Sequence, residues 1–258
     1  MEEIRVPSTF PSPADVRGRR IVITGASRGL GRVLATGLAQ AGARVALVSR
    51  DRDALVALAA DLPDGALVRA GDVTDPDFDE QVADDVVAEL GGLDVWIANA
   101  GVSPVFAGPL KTPTDTWRQV IDVNLSGVFY GARAAARVMG EGGRIIATGS
   151  VLAERPKRGL AAYSAAKAGV VALAKSLALD LGPRGITVNV VSPGWFDSPL
   201  ASGFMANERL EAEILGHTAL GRWGQGEDLL GAYLFLCSDA SAFVTGTVVT
   251  VDGGYLCA

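Results

Sequence analysis

The tightest constraint on this chain lies between Arg20 and Gly31. The run Arg20-Ile21-Val22-Ile23-Thr24 is short, apolar and rich in β-branched residues, so it reads as a buried strand. It passes directly through Gly25-Ala26-Ser27-Arg28 into Gly29-Leu30-Gly31, where Leu30, Val33, Leu34, Leu38 and Ala41 recur at helical spacing over 29–41, with Gly42 as the stop. A strand that turns at once into a helix leaves the unpaired N–H groups of the helix start at the strand's carboxyl end. Those groups, together with the helix dipole, favour an anion. The spacing Gly-xxx-Gly-x-Gly differs from the common Gly-x-Gly-x-x-Gly dinucleotide fingerprint. Its position, between a first strand and a first helix, still predicts a dinucleotide site held by Gly25, Ser27, Arg28, Gly29, Leu30 and Gly31.

The rest of the chain repeats the same alternation. Strands are expected at 44–49, 66–70, 93–98, 143–149, 185–191 and 247–251, with helices at 52–61, 76–90, 114–138, 161–181 and 226–237. Such alternation requires right-handed crossovers, a parallel sheet and helices on both faces. The expected fold is α/β: a single doubly wound Rossmann domain over 19–258 with a mainly seven-stranded parallel sheet. Hydrophobic residues make up 49% of the chain and charged residues 20%, as a sheet buried on both faces demands. Residues 1–18, with three prolines, read as a flexible arm. Over 195–225 the periodicity loosens, and this segment is expected to cover a cleft. In such sheets ligands bind beyond the carboxyl ends of the strands, here marked by Thr24, Ser49, Asp72, Asn99, Ser150 and Val191.

Several functions are disfavoured. A net charge of −6 with scattered basic residues argues against nucleic acid. Two cysteines and one histidine suggest neither a disulfide framework nor a metal site. The N-terminal twenty residues lack the basic and apolar regions of a signal peptide, and no apolar run is long enough for a bilayer. The expectation is a soluble, cytoplasmic protein that acts on a small molecule.

Tyr163 and Lys167 fall one turn apart on the helix expected over 161–181, so phenol and ammonium share a face. A phenol titrates near ~10 in water, and a close ammonium lowers that value by favouring the phenolate. Ser150 closes the apolar run 144–149, where its hydroxyl can donate to a carbonyl oxygen. The second strand ends in Ser49-Arg50, without a carboxylate for ribose hydroxyls, and Arg28 lies in the glycine turn. Two arginines there favour NADP(H), with NAD(H) left open.

Residues 18–256 resemble the short-chain dehydrogenase/reductase family. The resemblance rests on Thr24-Gly25-xxx-Gly29-x-Gly31, Asp72-Val73, Asn99-Ala100-Gly101, Asn124, Ser150, Tyr163-xxx-Lys167 and Pro193-Gly194. It implies that Asp72 and Val73 flank the adenine and that Asn99, Ala100 and Gly101 line the cofactor. Asn124 would hold a water linking Lys167 to solvent, and Lys167 would bind the nicotinamide ribose. Pro193, Gly194, Phe196 and Ser198 would lie about the nicotinamide. Ala98 stands where the family often has a first asparagine, and Ser198 where it often has threonine. The implied catalytic set is Asn124, Ser150, Tyr163 and Lys167. A homotetramer or homodimer built on the two long helices is also implied.

The C-terminal half is similar to gluconate 5-dehydrogenase-like and deoxygluconate dehydrogenase-like members. It carries Ser192-Pro193-Gly194-Trp195-Phe196, Gly221-Arg222-Trp223-Gly224 and Val251-Asp252-Gly253-Gly254-Tyr255, which also occur in 3-oxoacyl-carrier-protein reductase-like members. The expected reaction is hydride transfer between the cofactor and a ketone or secondary alcohol. A sugar acid or polyol, a 3-oxoacyl thioester and a cyclic ketone all stand as substrates. Leu152, Arg155, Trp195 and Phe204 are substrate-side candidates. One of Arg155, Lys157 and Arg158 could meet a substrate carboxylate or phosphate, unless they form a solvated basic loop. Trp195, Phe196, Phe204 and Met205 could equally wall a pocket for a bulkier or cyclic ketone, and His217 reads as a surface or packed residue. A dinucleotide sensor without turnover is the alternative from another class.

Overall fold

The computed structural model describes residues 14–258. Seven strands form one parallel sheet: β1 (Arg20–Thr24), β2 (Arg44–Ser49), β3 (Leu67–Ala70), β4 (Val95–Ala98), β5 (Arg144–Thr148), β6 (Thr187–Pro193) and β7 (Val248–Val251). Their order is β3-β2-β1-β4-β5-β6-β7, and every neighbouring pair is parallel. The chain builds outward from β1 in one direction and then in the other. The order therefore reverses between β1 and β4, which opens a crevice at their carboxyl ends.

Strand alternation splits the core into two layers. Val22, Ala46, Val48, Trp96, Ile145 and Val188 point to one face, with α3 (Pro76–Leu90), α5 (Gly127–Val138) and α6 (Ala161–Leu181) packed over them. Ile21, Ile23, Val45, Leu47, Ile97 and Val191 point to the other. There α1 (Gly29–Gln40), α2 (Arg52–Asp61) and α9 (Gly226–Cys237) contribute Leu34, Leu38, Leu55, Leu58, Leu229 and Leu236. Burial on both faces explains why the strands read as continuous apolar runs.

Three expectations change. The helix over 114–138 is two helices, α4 (Thr114–Ile121) and α5, joined by a π turn over Asp122–Ser126. Asn124 is fully buried in this turn, and its amide pairs with the backbone of Val102. The wider turn accommodates that insertion. Of the arm expected over 1–18, residues 1–13 lie outside the described residues. Residues 14–18 are docked rather than loose: Val16 is in the core and Gly18 N–H donates to Gly42 O at 2.8 Å. The segment 195–225 carries α7 (Ser202–Met205) and α8 (Glu208–Gly216). Among the described residues no helix is long and apolar enough to cross a membrane.

One core position conflicts with its surroundings. Asp79 on α3 is fully buried, and among the described residues neither carboxylate oxygen has a hydrogen-bond partner. Burial, with Asp75 and Asp72 adding negative charge, pushes its carboxyl up to about 8. The folded state thus holds a proton that the unfolded chain releases near pH ~4. Stability should fall as pH rises from about 4 to about 8 and level off above that. Asp79→Asn is expected to raise the melting temperature more at pH 8 than at pH 5, by at least ~2 °C in the difference. An equal effect at both pH values would show that Asp79 is ionised in the fold.

Candidate active site

The crevice is a cavity of about 490 Å³ along the carboxyl edge of the sheet. Its floor at β1 is backbone. Gly25 has φ +69°, and a Cβ there would lie 2.8 Å from the Cα of Ala100. At Gly31 a Cβ would lie 2.2 Å from the carbonyl oxygen of Gly25. The turn can close onto β4 only without side chains at these two positions, and that closure leaves the start of α1 open to the cavity.

Polar side chains lock the neighbouring strand ends together. Thr24 Oγ1 accepts from the N–H groups of Asn99 and Ala100, each at 3.0 Å, and Asn99 Nδ2 donates to Thr24 O at 3.0 Å. Thr148 Oγ1 reaches Asn99 Oδ1 at 3.3 Å and shares a 2.7 Å hydrogen bond with the buried Tyr233 hydroxyl. The carbonyl oxygen of Thr148 accepts a hydrogen bond from Lys167 Nζ at 2.6 Å. Sequence reasoning missed Thr148 and Tyr233. A threonine ending a strand and a tyrosine on an apolar helix carry no motif, and only tertiary pairing reveals them.

Tyr163 and Lys167 share one face of α6, as their spacing requires, and Nζ stands 5.7 Å from the phenol ring centroid. Their electrostatics differ from the aqueous expectation. Burial pushes the Tyr163 phenol up to about 12, partly offset by the Ser150 hydroxyl, and pushes the Lys167 ammonium down to about 8. The ammonium does not lower the phenol as expected. Lys167 Nζ donates to the Thr148 carbonyl oxygen, and burial is the largest influence on both groups. Ser150 is buried where β5 ends, and its oxygen also accepts from Leu152 N–H at 3.2 Å.

The cavity wall brings together Gly25, Ser27, Arg28, Gly29, Leu30, Gly31, Ser49, Arg50, Asp72, Val73, Asn99, Ala100 and Gly101 from the left half of the sheet. From the right half come Ser150, Tyr163, Lys167, Pro193, Gly194, Phe196 and Ser198. Leu152, Trp195 and Phe204 line it too. Asp72 Oδ1 accepts from the N–H and hydroxyl of Thr74, at 3.0 and 2.9 Å, while Oδ2 lies 3.9 Å from Arg50. Asp51 caps α2 by accepting from Ala54 N–H at 3.0 Å.

Asn124 and Arg155 do not line the cavity. The Asn124 side chain accepts from Val102 N–H at 2.9 Å and donates to Val102 O at 2.8 Å. The side chain is thus engaged with the backbone of Val102 and pins it. Arg155 donates to the carbonyl oxygens of Tyr255 (2.8 Å) and Ala258, and meets His217 Nδ1 at 3.3 Å. Its placement against substrate is therefore corrected: the guanidinium binds the C-terminal segment. Lys157 pairs with Glu213 at 2.7 Å, and Arg158 is exposed away from the cavity.

A crevice with these properties defines a dinucleotide-dependent α/β enzyme. A family model described as enoyl-(acyl carrier protein) reductase matches residues 25–256. The chain is 36% identical over 239 residues to 3-oxoacyl-acyl-carrier-protein reductase FabG of Escherichia coli K12, covering 92% of this chain and 97% of the relative. It is 38% identical over 241 residues to cis-4-hydroxycyclohexanecarboxylate dehydrogenase of Sinomonas cyclohexanicum, covering 92% and 96%. A solved structure described as an NAD(P)-dependent gluconate 5-dehydrogenase from Beutenbergia cavernae, with NADP bound at low occupancy, superposes with a TM-score of 0.90. It is 34% identical and covers 96% of this chain and all of that one. The chain belongs to the short-chain dehydrogenase/reductase family. It is an NAD(P)-dependent oxidoreductase acting between a ketone and a secondary alcohol.

Replacing Asn124 with alanine would leave the N–H and C=O of Val102 unpaired. Two such groups are expected to cost roughly 2–4 kcal/mol, read as a lower urea midpoint. A cost below about 0.5 kcal/mol would refute the pinning role.

Proposed function

We propose that the chain reduces a carbonyl with NADP(H), using Tyr163 as the proton donor and Ser150 as the oxyanion partner. The observation that carries this is the convergence of Ser150, Tyr163 and Lys167 on one wall of a cavity whose other half is the glycine cradle. The cradle fits a dinucleotide: the two positions where a Cβ would collide are the ones facing its floor. A nicotinamide cofactor bound there supplies hydride for reduction or accepts it for oxidation. Gly25, Ser27, Arg28, Gly29, Leu30 and Gly31 would hold its phosphates at the start of α1. Val73 would pack beside the adenine, and Gly194 and Ser198 would bound the nicotinamide end.

Each side chain has a definable part. Tyr163, held protonated by burial, releases its hydroxyl proton to the oxygen of the carbonyl as negative charge develops there. Ser150 donates a hydrogen bond to the same oxygen and stabilises that charge. Lys167, anchored on Thr148, presents a positive charge to the phenol and favours the phenolate left behind. Its ammonium, held at about 8, stays protonated at neutral pH. In the oxidative direction the same groups run in reverse.

The preference for NADP(H) is supported by Arg28 and Arg50 at the β2 end of the cavity. Arg50 is largely exposed and has only a 3.9 Å contact with Asp72, so it is available to a 2′-phosphate. Asp51, the acidic group nearest the strand end, is occupied as a helix cap. Assembly as a homotetramer or homodimer, and action in the cytoplasm, belong to the same reading. An alternative as a sensor without turnover has no support from a damaged site: the serine, tyrosine and lysine all reach the cavity.

Tyr163→Phe is expected to lower kcat by 10²–10⁴-fold while leaving the dissociation constant of NADPH within about twofold. Arg50→Ala should weaken NADPH binding about tenfold, equivalent to ~1.4 kcal/mol, with little change for NADH. Equal losses for both cofactors would remove the NADP(H) preference.

A further inference from the structure

The cofactor cradle accounts for only part of the cavity. Past Ser150 and Tyr163 the wall is formed by Val102, Leu152, Leu160, Trp195, Leu200 and Phe204. Leu152, Leu160 and Trp195 are buried in one cluster, with Tyr163 and Phe204 packed against it. Trp195 meets Phe204 edge-on at 4.9 Å, and Phe204 meets Phe106 edge-on at 5.2 Å. Phe106 and Leu200 are about half exposed, so the apolar surface continues out to the rim.

The charged side chains lining the cavity are Arg28, Arg50, Asp51, Asp72 and Lys167. The first four belong to the β1, β2 and β3 ends, and Lys167 Nζ is engaged in donating to the Thr148 carbonyl oxygen. The basic loop between Ser150 and Tyr163 places no side chain of Arg155, Lys157 or Arg158 in the cavity lining. Arg155 is bound to the C-terminal segment, Lys157 is committed to Glu213 behind the wall with its Nζ 5.9 Å from the Trp195 ring centroid, and Arg158 is exposed outside the cavity. Of the lining hydroxyls, Ser27 and Ser49 stand at the cofactor end, Thr148 is paired with Tyr233, and Ser198 is assigned to the nicotinamide end. Ser150 and Tyr163 serve the reacting oxygen, which leaves Ser103 for any other polar group.

A carboxylate or phosphate in such a wall would lose its water without gaining an unengaged cation, since Lys167 is bound to Thr148 and Lys157 to Glu213, and a polyol would leave most of its hydroxyls unpaired. We propose that the substrate is an uncharged, compact apolar ketone or secondary alcohol, alicyclic or aryl, with at most one polar group besides the reacting oxygen. This rests on the reading of Ser150 and Tyr163 as the carbonyl-facing groups, and it selects among the substrates that reading allows.

A matched pair of ketones tests it: methyl 4-oxocyclohexanecarboxylate and the 4-oxocyclohexanecarboxylate anion, which differ in charge at nearly constant size. With the intact protein and NADPH, kcat/KM for the ester should exceed that for the anion at least tenfold, mainly through KM. Calorimetric titration at saturating NADP⁺, where neither ketone can be reduced, should show the ester binding about tenfold tighter. Leu200→Arg places a cation on the exposed rim and should bring the anion's KM toward that of the ester. Tighter binding of the ester without reduction of either ketone would sustain the substrate class while overturning the catalytic reading. An anion bound or reduced as well as the ester, or no binding of either, would overturn the inference.

Discussion

The 2.6 Å bond from the Lys167 ammonium to the Thr148 carbonyl ties the longest helix to the end of a central strand. Burying an ammonium is unfavourable, and the depression of its pKa to about 8 records that cost. The bond makes the burial tolerable and fixes the rotation of α6 about its axis. Once that rotation is set, Tyr163 must face the cavity, since it lies four residues back on the same stripe. The hydroxyl of Thr148 meanwhile engages Tyr233 of α9 and Asn99 after β4. One residue therefore joins both helical layers to the strand edge where the order reverses.

The site is an electrostatic compromise. In water an ammonium beside a phenol would favour the phenolate, but desolvation here outweighs that attraction and keeps Tyr163 a neutral acid. A neutral acid with a hydroxyl and a positive charge nearby is organised to give up a proton when an oxyanion forms, not before. Asn124 contributes at one remove. By widening its helix into a π turn and binding Val102 in both directions, it fixes the loop after β4, which forms part of the cavity wall.

A second network organises the substrate end. Trp195 lies against Phe204, Trp223 and Tyr255, and Arg155 packs over the Tyr255 ring at 4.9 Å. Three segments distant in sequence thus close around one indole: the loop before α6, the cover after β6 and the C-terminal turn. Arg155 and Lys157 of the first segment serve this closure, Arg155 at Tyr255 and Lys157 over Trp195 and against Glu213, and that use keeps them out of the cavity lining.

The alternation of buried strands and amphipathic helices determined the doubly wound fold from sequence alone, because a parallel sheet covered on both faces has few other ways to satisfy its apolar runs. The glycine turn, Ser150 and the Tyr163–Lys167 spacing were legible for a similar reason: each depends on local geometry, a tight turn, a strand end or one helical turn. What sequence could not show depends on contacts between distant segments. The π turn arises because Asn124 finds Val102. The phenol is pushed further up because the closed layers bury it, and Arg155 is lost to substrate because the C-terminal turn captures it. A side chain's partner is chosen by which elements the fold brings within about 3 Å, the reach of a hydrogen bond, and that distance is set only when the sheet and its two helical layers have closed.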